Sequence, residues 1–299
     1  MLKQRITTAL ILAPLALAAI FLLPLQWFAL AIAGVFILAT KEWAVLVDKN
    51  NSKLPNALIV GYSLILGATL LVIPPDVRHI WQVTDNNETV LVPLVSGILT
   101  VGAVWWLICA ALVLTYPNSA KAWTKNTLVK VVFGIVTLVP FFWAMLALRS
   151  YQYFHDPLAG AWLVMLVMFL VWGADSGAYF TGKKFGKNKL APRVSPGKTR
   201  EGFLGGVVVS MLIALIAAVV MTVSPSGELD STKFVIILFT CFITSISSTL
   251  GDLNESMFKR EAGVKDSGTL LPGHGGILDR IDSLTAALPV FAVIYLVCF

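Results

Sequence analysis

About nine apolar runs, each long enough to cross the hydrocarbon core of a bilayer as a helix, dominate this chain. They fall at roughly 6–23, 26–47, 56–73, 90–115, 128–148, 159–180, 203–223, 233–251 and 283–299. A helix is the natural form for such a run, because lipid cannot satisfy an unpaired backbone N–H or C=O. Composition points the same way: 58% of the 299 residues are hydrophobic and 13% charged, where soluble domains carry about 25% charged residues. A soluble core cannot absorb that excess, since it must still present polar surface to water. The chain therefore reads as an all-α polytopic integral membrane protein. The start, Met-Leu-Lys-Gln-Arg and then an apolar run, imitates a signal peptide. No A-x-A-like site ends that run, so it is expected to stay as a first helix.

The breaks between runs carry loop chemistry: residues 48–55, Pro74-Pro75-Asp76, Tyr116-Pro117-Asn118 and Ser224-Pro225-Ser226-Gly227. Pro24 alone separates the first two runs. Nine spans with the N-terminus inside leave Arg78, Arg149 and Lys233 as the outer basic residues among 22. The other basic residues all fall on the inner side, as cytoplasmic loops require. The topology is N-in, C-out. Two regions follow: residues 1–150, about five spans with short plain loops, and residues 151–299, about four spans with inner loops at 181–202 and 252–282. Cys109, Cys241 and Cys298 sit in apolar runs without metal-ligand spacing, so neither a disulfide framework nor a zinc site is expected.

Polar chemistry gathers in those two inner loops. Asp175 lies near the inner end of span six, where a carboxylate is costly unless paired, hydrated or holding a cation; the plainer alternative is a helix-end aspartate reaching the headgroup layer. Beyond it glycine alternates with lysine, a composition suited to anions. Lys183, Lys184, Lys187 and Lys189 fit either a phosphate substrate or anionic headgroups. Lys198, between Pro196-Gly197 and Arg200-Glu201-Gly202, is the stronger substrate candidate. Ser195-Pro-Gly-Lys198-Thr199 lacks the spacing and the preceding strand of a phosphate-binding P-loop, which excludes a Walker site.

The second stretch is richer. Asp252 closes span eight, while Asp279 and Asp282, three residues apart and so on one helix face, open span nine. If those spans pack antiparallel, the three carboxylates converge, and hard cations such as Mg²⁺ take such oxygen ligands together with phosphates. A preference of Asp279 and Asp282 for a helix N-terminus is the alternative, and it leaves Asp252 unexplained. Ser256, Lys259 and Arg260 fall on one helical stripe and suit a phosphate grip. In Pro272-Gly-His274-Gly275-Gly276 the glycines allow positive φ and bare amides, a shape suited to a phosphate turn. His274 is a phosphate donor, a proton carrier or a hydrogen-bonding prop.

From Ser256 to Asp282 the chain resembles the phosphatidate cytidylyltransferases, or CDP-diacylglycerol synthases. Their signature is matched at Ser256, Lys259-Arg260, Lys265-Asp266, Pro272, His274-Gly275-Gly276, Asp279-Arg280 and Asp282. The blocks from Asp175 to Tyr179 and Ser195 to Gly202 are similar to the family's second shared region. The resemblance implies that CTP and phosphatidate give CDP-diacylglycerol and pyrophosphate for phospholipid biosynthesis, at the cytoplasmic face of a bacterial inner membrane. It implies Mg²⁺ at Asp252 and Asp279, with Asp282 and Asp175 beside them, and a second, monovalent cation. Lys259, Arg260 and His274 are the other expected catalytic residues. Ser256, Lys198, Lys265, Ser195, Gly275, Gly276 and Arg280 are expected to bind substrate. A homodimer is a further expectation; a nucleic-acid partner is not. Two rivals are weaker. The pattern of CDP-alcohol phosphotransferases, D-x2-D-G-x2-A-R, is absent, and the two halves show none of the repeat that marks many ion-coupled transporters.

Overall fold

The structure, a computed structural model, describes residues 2–72, 80–83, 89–223 and 229–298. The expected turns at Pro74-Pro75-Asp76 and Ser224-Pro225-Ser226-Gly227, and outer Arg78, lie outside the described residues. Ten helices are present among the rest: α1 (Leu2–Leu22), α2 (Leu25–Asp48), α3 (Leu54–Val72), α4 (Pro93–Leu114), α5 (Ala120–Trp123), α6 (Thr127–Arg149), α7 (Ala159–Phe185), α8 (Arg200–Val223), α9 (Ser231–Ala262) and α10 (Leu278–Cys298). Eight of them, all but α1 and α5, are long and apolar enough to cross a membrane. α1 has 21 residues, with the apolar stretch Leu10–Leu22. Pro24 does separate α1 from α2: it sits extended at the α2 start, where its missing N–H costs nothing.

Two short antiparallel hairpins interrupt the helical reading. β1 (Trp81–Val83) pairs with β2 (Thr89–Leu91), and β3 (Lys189–Ala191) pairs with β4 (Ser195–Thr199). The second hairpin carries Ser195 and Lys198, which the sequence reading placed in a loop.

α6 is buried from Thr137 to Arg149 and runs through the middle of the bundle, so its apolar residues need no polar face. α3 and α8 are peripheral: Leu204, Val208, Leu212 and Ile216 of α8 are exposed, as lipid-facing residues are. Arg149, counted above as an outer loop cation, is buried instead. It donates to the carbonyls of Ile20 at 2.7 Å and Pro157 at 2.9 Å and stacks over Phe28 and Tyr153. A guanidinium with fixed donors suits this task of tying the ends of α1 and α6 together.

Small residues set the two close crossings that matter for function. Along α7 and α8, a methyl group on Gly177 would stand 2.8 Å from the Gly205 carbonyl oxygen, and one on Gly202 would stand 2.9 Å from that of Ala178. Backbones approach this closely only where side chains are absent. Gly202, at the end of the polar stretch, is thus a helix-packing residue. The second crossing joins α9 to α10, where a methyl on Gly251 would lie 3.0 Å from the Ser283 Cα. The end of α9 lies against the start of α10, so the antiparallel packing expected for these spans is present.

Candidate active site

α9 continues past the apolar run to Ala262 and ends on Gly263 in the left-handed conformation, φ 62°. Its last turns carry Asp252, Glu255, Ser256 and Lys259, which helical periodicity puts on one face. An aromatic cluster holds that end in place: the Phe258 ring lies 5.1 Å from Trp43 of α2 and 4.7 Å from Trp123 of α5. The stripe is therefore a fixed platform rather than a surface helix.

Two lysines meet two aspartates on it. Lys198 of β4 reaches Asp252 at 2.7 Å, with both side chains partly exposed. Lys259 bridges Glu255 and Asp279, each at 2.7 Å, in a far more buried setting. Ser256 donates to Asp252 at 3.2 Å. Asp282 adjoins Glu255 and stands within electrostatic reach of Asp252. Asp175 lies across from them on α7, with Lys198, Asp252 and Arg280 as its charged neighbours.

A cavity of about 470 Å³ opens beside this cluster, lined by Asp175, Tyr179, Lys183, Lys198, Phe203 and Asp252. Polar groups and aromatic faces share its wall, as in sites that hold a ligand with a charged and an apolar end. A second cavity, about 640 Å³, is lined by Lys265, Asp266, His274, Gly275 and Arg280 of the loop before α10. The Arg280 Nε donates to the His274 carbonyl oxygen at 3.1 Å, and the His274 Nδ1 is buried without a partner among the described residues.

The remaining expected residues take other partners. Arg260 donates through Nε to the Val194 carbonyl oxygen at 3.1 Å, clamping the β3–β4 turn onto α9. Ser195 opens β4 opposite Ala191. Glu201, in the first turn of α8, accepts from the amides of Lys187 and Asn188, so the same hairpin is held from both sides. Replacing Arg260 with alanine is expected to loosen that hairpin. Limited proteolysis in detergent would then cut first between Lys187 and Lys198, with at least about a tenfold gain in rate if the clamp holds off local opening worth about 1.4 kcal/mol. Equal cleavage of both proteins would count against the clamp.

The glycine turn differs from its sequence reading in detail. Gly275 takes φ 81° and packs against the Asp279 carboxylate, which receives the Gly276 amide at 2.7 Å and the Ser267 amide at 3.0 Å. The next two amides, Ile277 and Leu278, go to Glu42 of α2 at 3.0 and 2.7 Å. In this arrangement carboxylates take these amides, where bare amides for phosphate were expected. Sequence reasoning passed over Glu42, Glu255 and Ser267. For Glu42 there was a signal, an ionisable residue inside an apolar run. For Glu255 the signal was its i+3 spacing from Asp252.

The donors here are hard oxygens. Among the described residues no three His, Cys, Asp or Glu side chains converge as a metal cage. Mg²⁺ asks for less, one or two carboxylates completed by phosphate and water. Asp252 is partly exposed, with one ammonium at 2.7 Å, and is open to a cation; Asp279 already receives Lys259, Ser267 and the Gly276 amide, and would take a cation in place of Lys259. The residues fit Mg²⁺.

Comparison with known proteins agrees with this geometry. A family model described as "Cytidylyltransferase family" matches residues 3–298. The chain belongs to the cytidylyltransferase family. A phosphatidate cytidylyltransferase of Haemophilus influenzae is 43% identical over 305 residues, covering 99% of each chain. One of Pseudomonas aeruginosa is 42% identical, covering 98% of this chain and 97% of its own. The Bacillus subtilis enzyme of that name is 39% identical over 187 residues, or 61% of this chain. Membership extends over all the helices, including α2 and hence Glu42, although the recognisable motif begins only at Asp175.

Proposed function

We propose that this cytidylyltransferase-family chain transfers a cytidylyl group from CTP to phosphatidate, giving CDP-diacylglycerol and pyrophosphate. One observation carries the reading: Asp252, paired with Lys198, lines a cavity whose wall is part polar and part aromatic, and the antiparallel neighbouring helix brings a second acid–lysine pair, Asp279 with Lys259, to the same end of the bundle. The full-length similarity to enzymes named phosphatidate cytidylyltransferase supports it.

The lipid phosphate is already anionic, so it attacks the α-phosphorus of CTP without a strong base. A bond forms from its oxygen to that phosphorus as the α–β bridge bond breaks, and pyrophosphate carries the electron pair away. What the protein supplies is position and charge. Mg²⁺ held by Asp252 and Asp279, with Asp282 and Asp175 close by, would neutralise charge on the triphosphate and on departing pyrophosphate. Lys198 brings an ammonium to Asp252 and Lys259 brings one to Asp279. Lys265, His274 and Arg280 line the second cavity, where further phosphate oxygens would be held. Tyr179 and Phe203, on the wall of the first cavity, suit the apolar diacylglycerol end of the lipid.

The basic-residue asymmetry of the sequence supports an inner-membrane enzyme with this site on the cytoplasmic side, where CTP is available. The test is chemical. Detergent-solubilised protein given CTP, Mg²⁺ and phosphatidate should release pyrophosphate and CDP-diacylglycerol in equal amounts. Release of CMP instead would point to a phosphotransferase and overturn the reading.

A further inference from the structure

We infer that Glu42, on the second helix of the N-terminal half, is a positioning residue for the reacting end of α10; the inference rests on the activity proposed above. The first N–H groups of any helix lack intrahelical partners and are usually satisfied by a side chain a few residues away. α10 is capped differently. The Glu42 carboxylate, 235 residues away in sequence, takes the Ile277 amide at 3.0 Å and the Leu278 amide at 2.7 Å. It is buried, and the Ser267 hydroxyl stands 3.1 Å from one of its oxygens.

That hydroxyl is also 3.0 Å from the Asp279 carboxylate, so Ser267 stands between the two acids. Asp279 in turn holds Lys259, which holds Glu255. A continuous polar chain therefore runs from α2 through Ser267 to the carboxylates at the α9–α10 crossing. The surrounding backbone is shaped to it. A methyl group on Gly268 would stand 2.5 Å from a Glu42 oxygen, and one on Gly276 would overlap the Glu42 carboxylate outright. These two glycines leave room for an acid from elsewhere in the fold. α2 is itself immobilised, because the Trp43 Nε1 donates to the Lys130 carbonyl at 2.9 Å while its ring packs on Phe258. Glu42 thus joins a rigid N-terminal helix to the loop that aims Asp279.

Removing the carboxylate leaves two buried amides without partners, and the first turn of α10 should open. The experiment compares wild type, Glu42→Ala, Glu42→Gln, Ser267→Ala and the double variant Glu42→Gln/Ser267→Ala, purified in detergent. Steady-state kinetics and hydrogen exchange over residues 274–282 are the readouts. Glu42→Ala should lower kcat at least about tenfold with little change in KM for CTP, and should speed exchange at Ile277 and Leu278. Ser267→Ala should lower kcat while leaving those two amides protected. The double variant should be no worse than Glu42→Gln alone, since both act through Asp279. A wild-type kcat in folded Glu42→Ala, or multiplying effects in the double variant, would overturn the inference. Should Glu42→Ala not fold, the Gln and Ser267 variants decide it by the same criterion. Absence of CDP-diacylglycerol formation by wild type would instead refute the proposed activity and leave the exchange result to judge the cap.

Discussion

Asp252→Asn protein is expected to fold normally and to form CDP-diacylglycerol at least about a hundredfold more slowly than wild type. The scale is that of losing one preorganised electrostatic group from a site where charge develops. Asp252 is the carboxylate most accessible to a ligand: it faces the cavity with Asp175, and its internal partners are one hydroxyl and one partly exposed lysine. Its loss should cost little stability, because an ion pair as exposed as that with Lys198 contributes at most about 1 kcal/mol. The measurement is Mg²⁺-dependent turnover beside a thermal melt of the same preparation. Turnover within about threefold of wild type would remove Asp252 from the metal assignment.

Lys259→Met should behave differently, losing activity and stability together. Lys259 sits between Glu255 and Asp279, whose side chains are 4% and 5% exposed. Replacing it leaves two buried acids without their cation, with Asp282 beside them. Breaking a buried pair by removing one partner costs about 3–5 kcal/mol, because the remaining charge stays desolvated. A large fall in melting temperature is therefore expected, together with turnover too slow to measure. Adding Glu255→Gln should restore part of the stability without restoring activity, since it removes one of the stranded acids and leaves Asp279 unpaired. A Lys259→Met protein as stable as wild type would show that the bridge does not hold the crossing together.

The contrast between these two lysines explains what could be read in advance. Asp252, Lys259, Asp279 and Asp282 were legible because each stands in a dense local pattern at helical spacing. The antiparallel packing assumed for the last two long helices is present at the Gly251 crossing, but among the described residues the three aspartates it was expected to bring together do not converge as a metal cage. Lys198 was singled out by its glycine and proline neighbours, though not its pairing with Asp252, which depends on a hairpin that a five-residue strand hardly announces. Arg260 misled. Its place beside Lys259 suggested a shared phosphate grip, but one step along a helix turns a side chain by about 100°, and its Nε faces the β3–β4 turn.

The helices and their approximate limits were legible in the order of residues alone, because a run of apolar residues in lipid has no other way to satisfy its backbone. The family was legible too, through a motif confined to one stretch of chain. Which polar groups engage one another came from the packing of the helices. Glu42 shows why. A carboxylate on α2 and two amides at the start of α10 carry no mark of each other in sequence, yet burial obliges each polar group to find a partner, and that partner depends on how the helices pack.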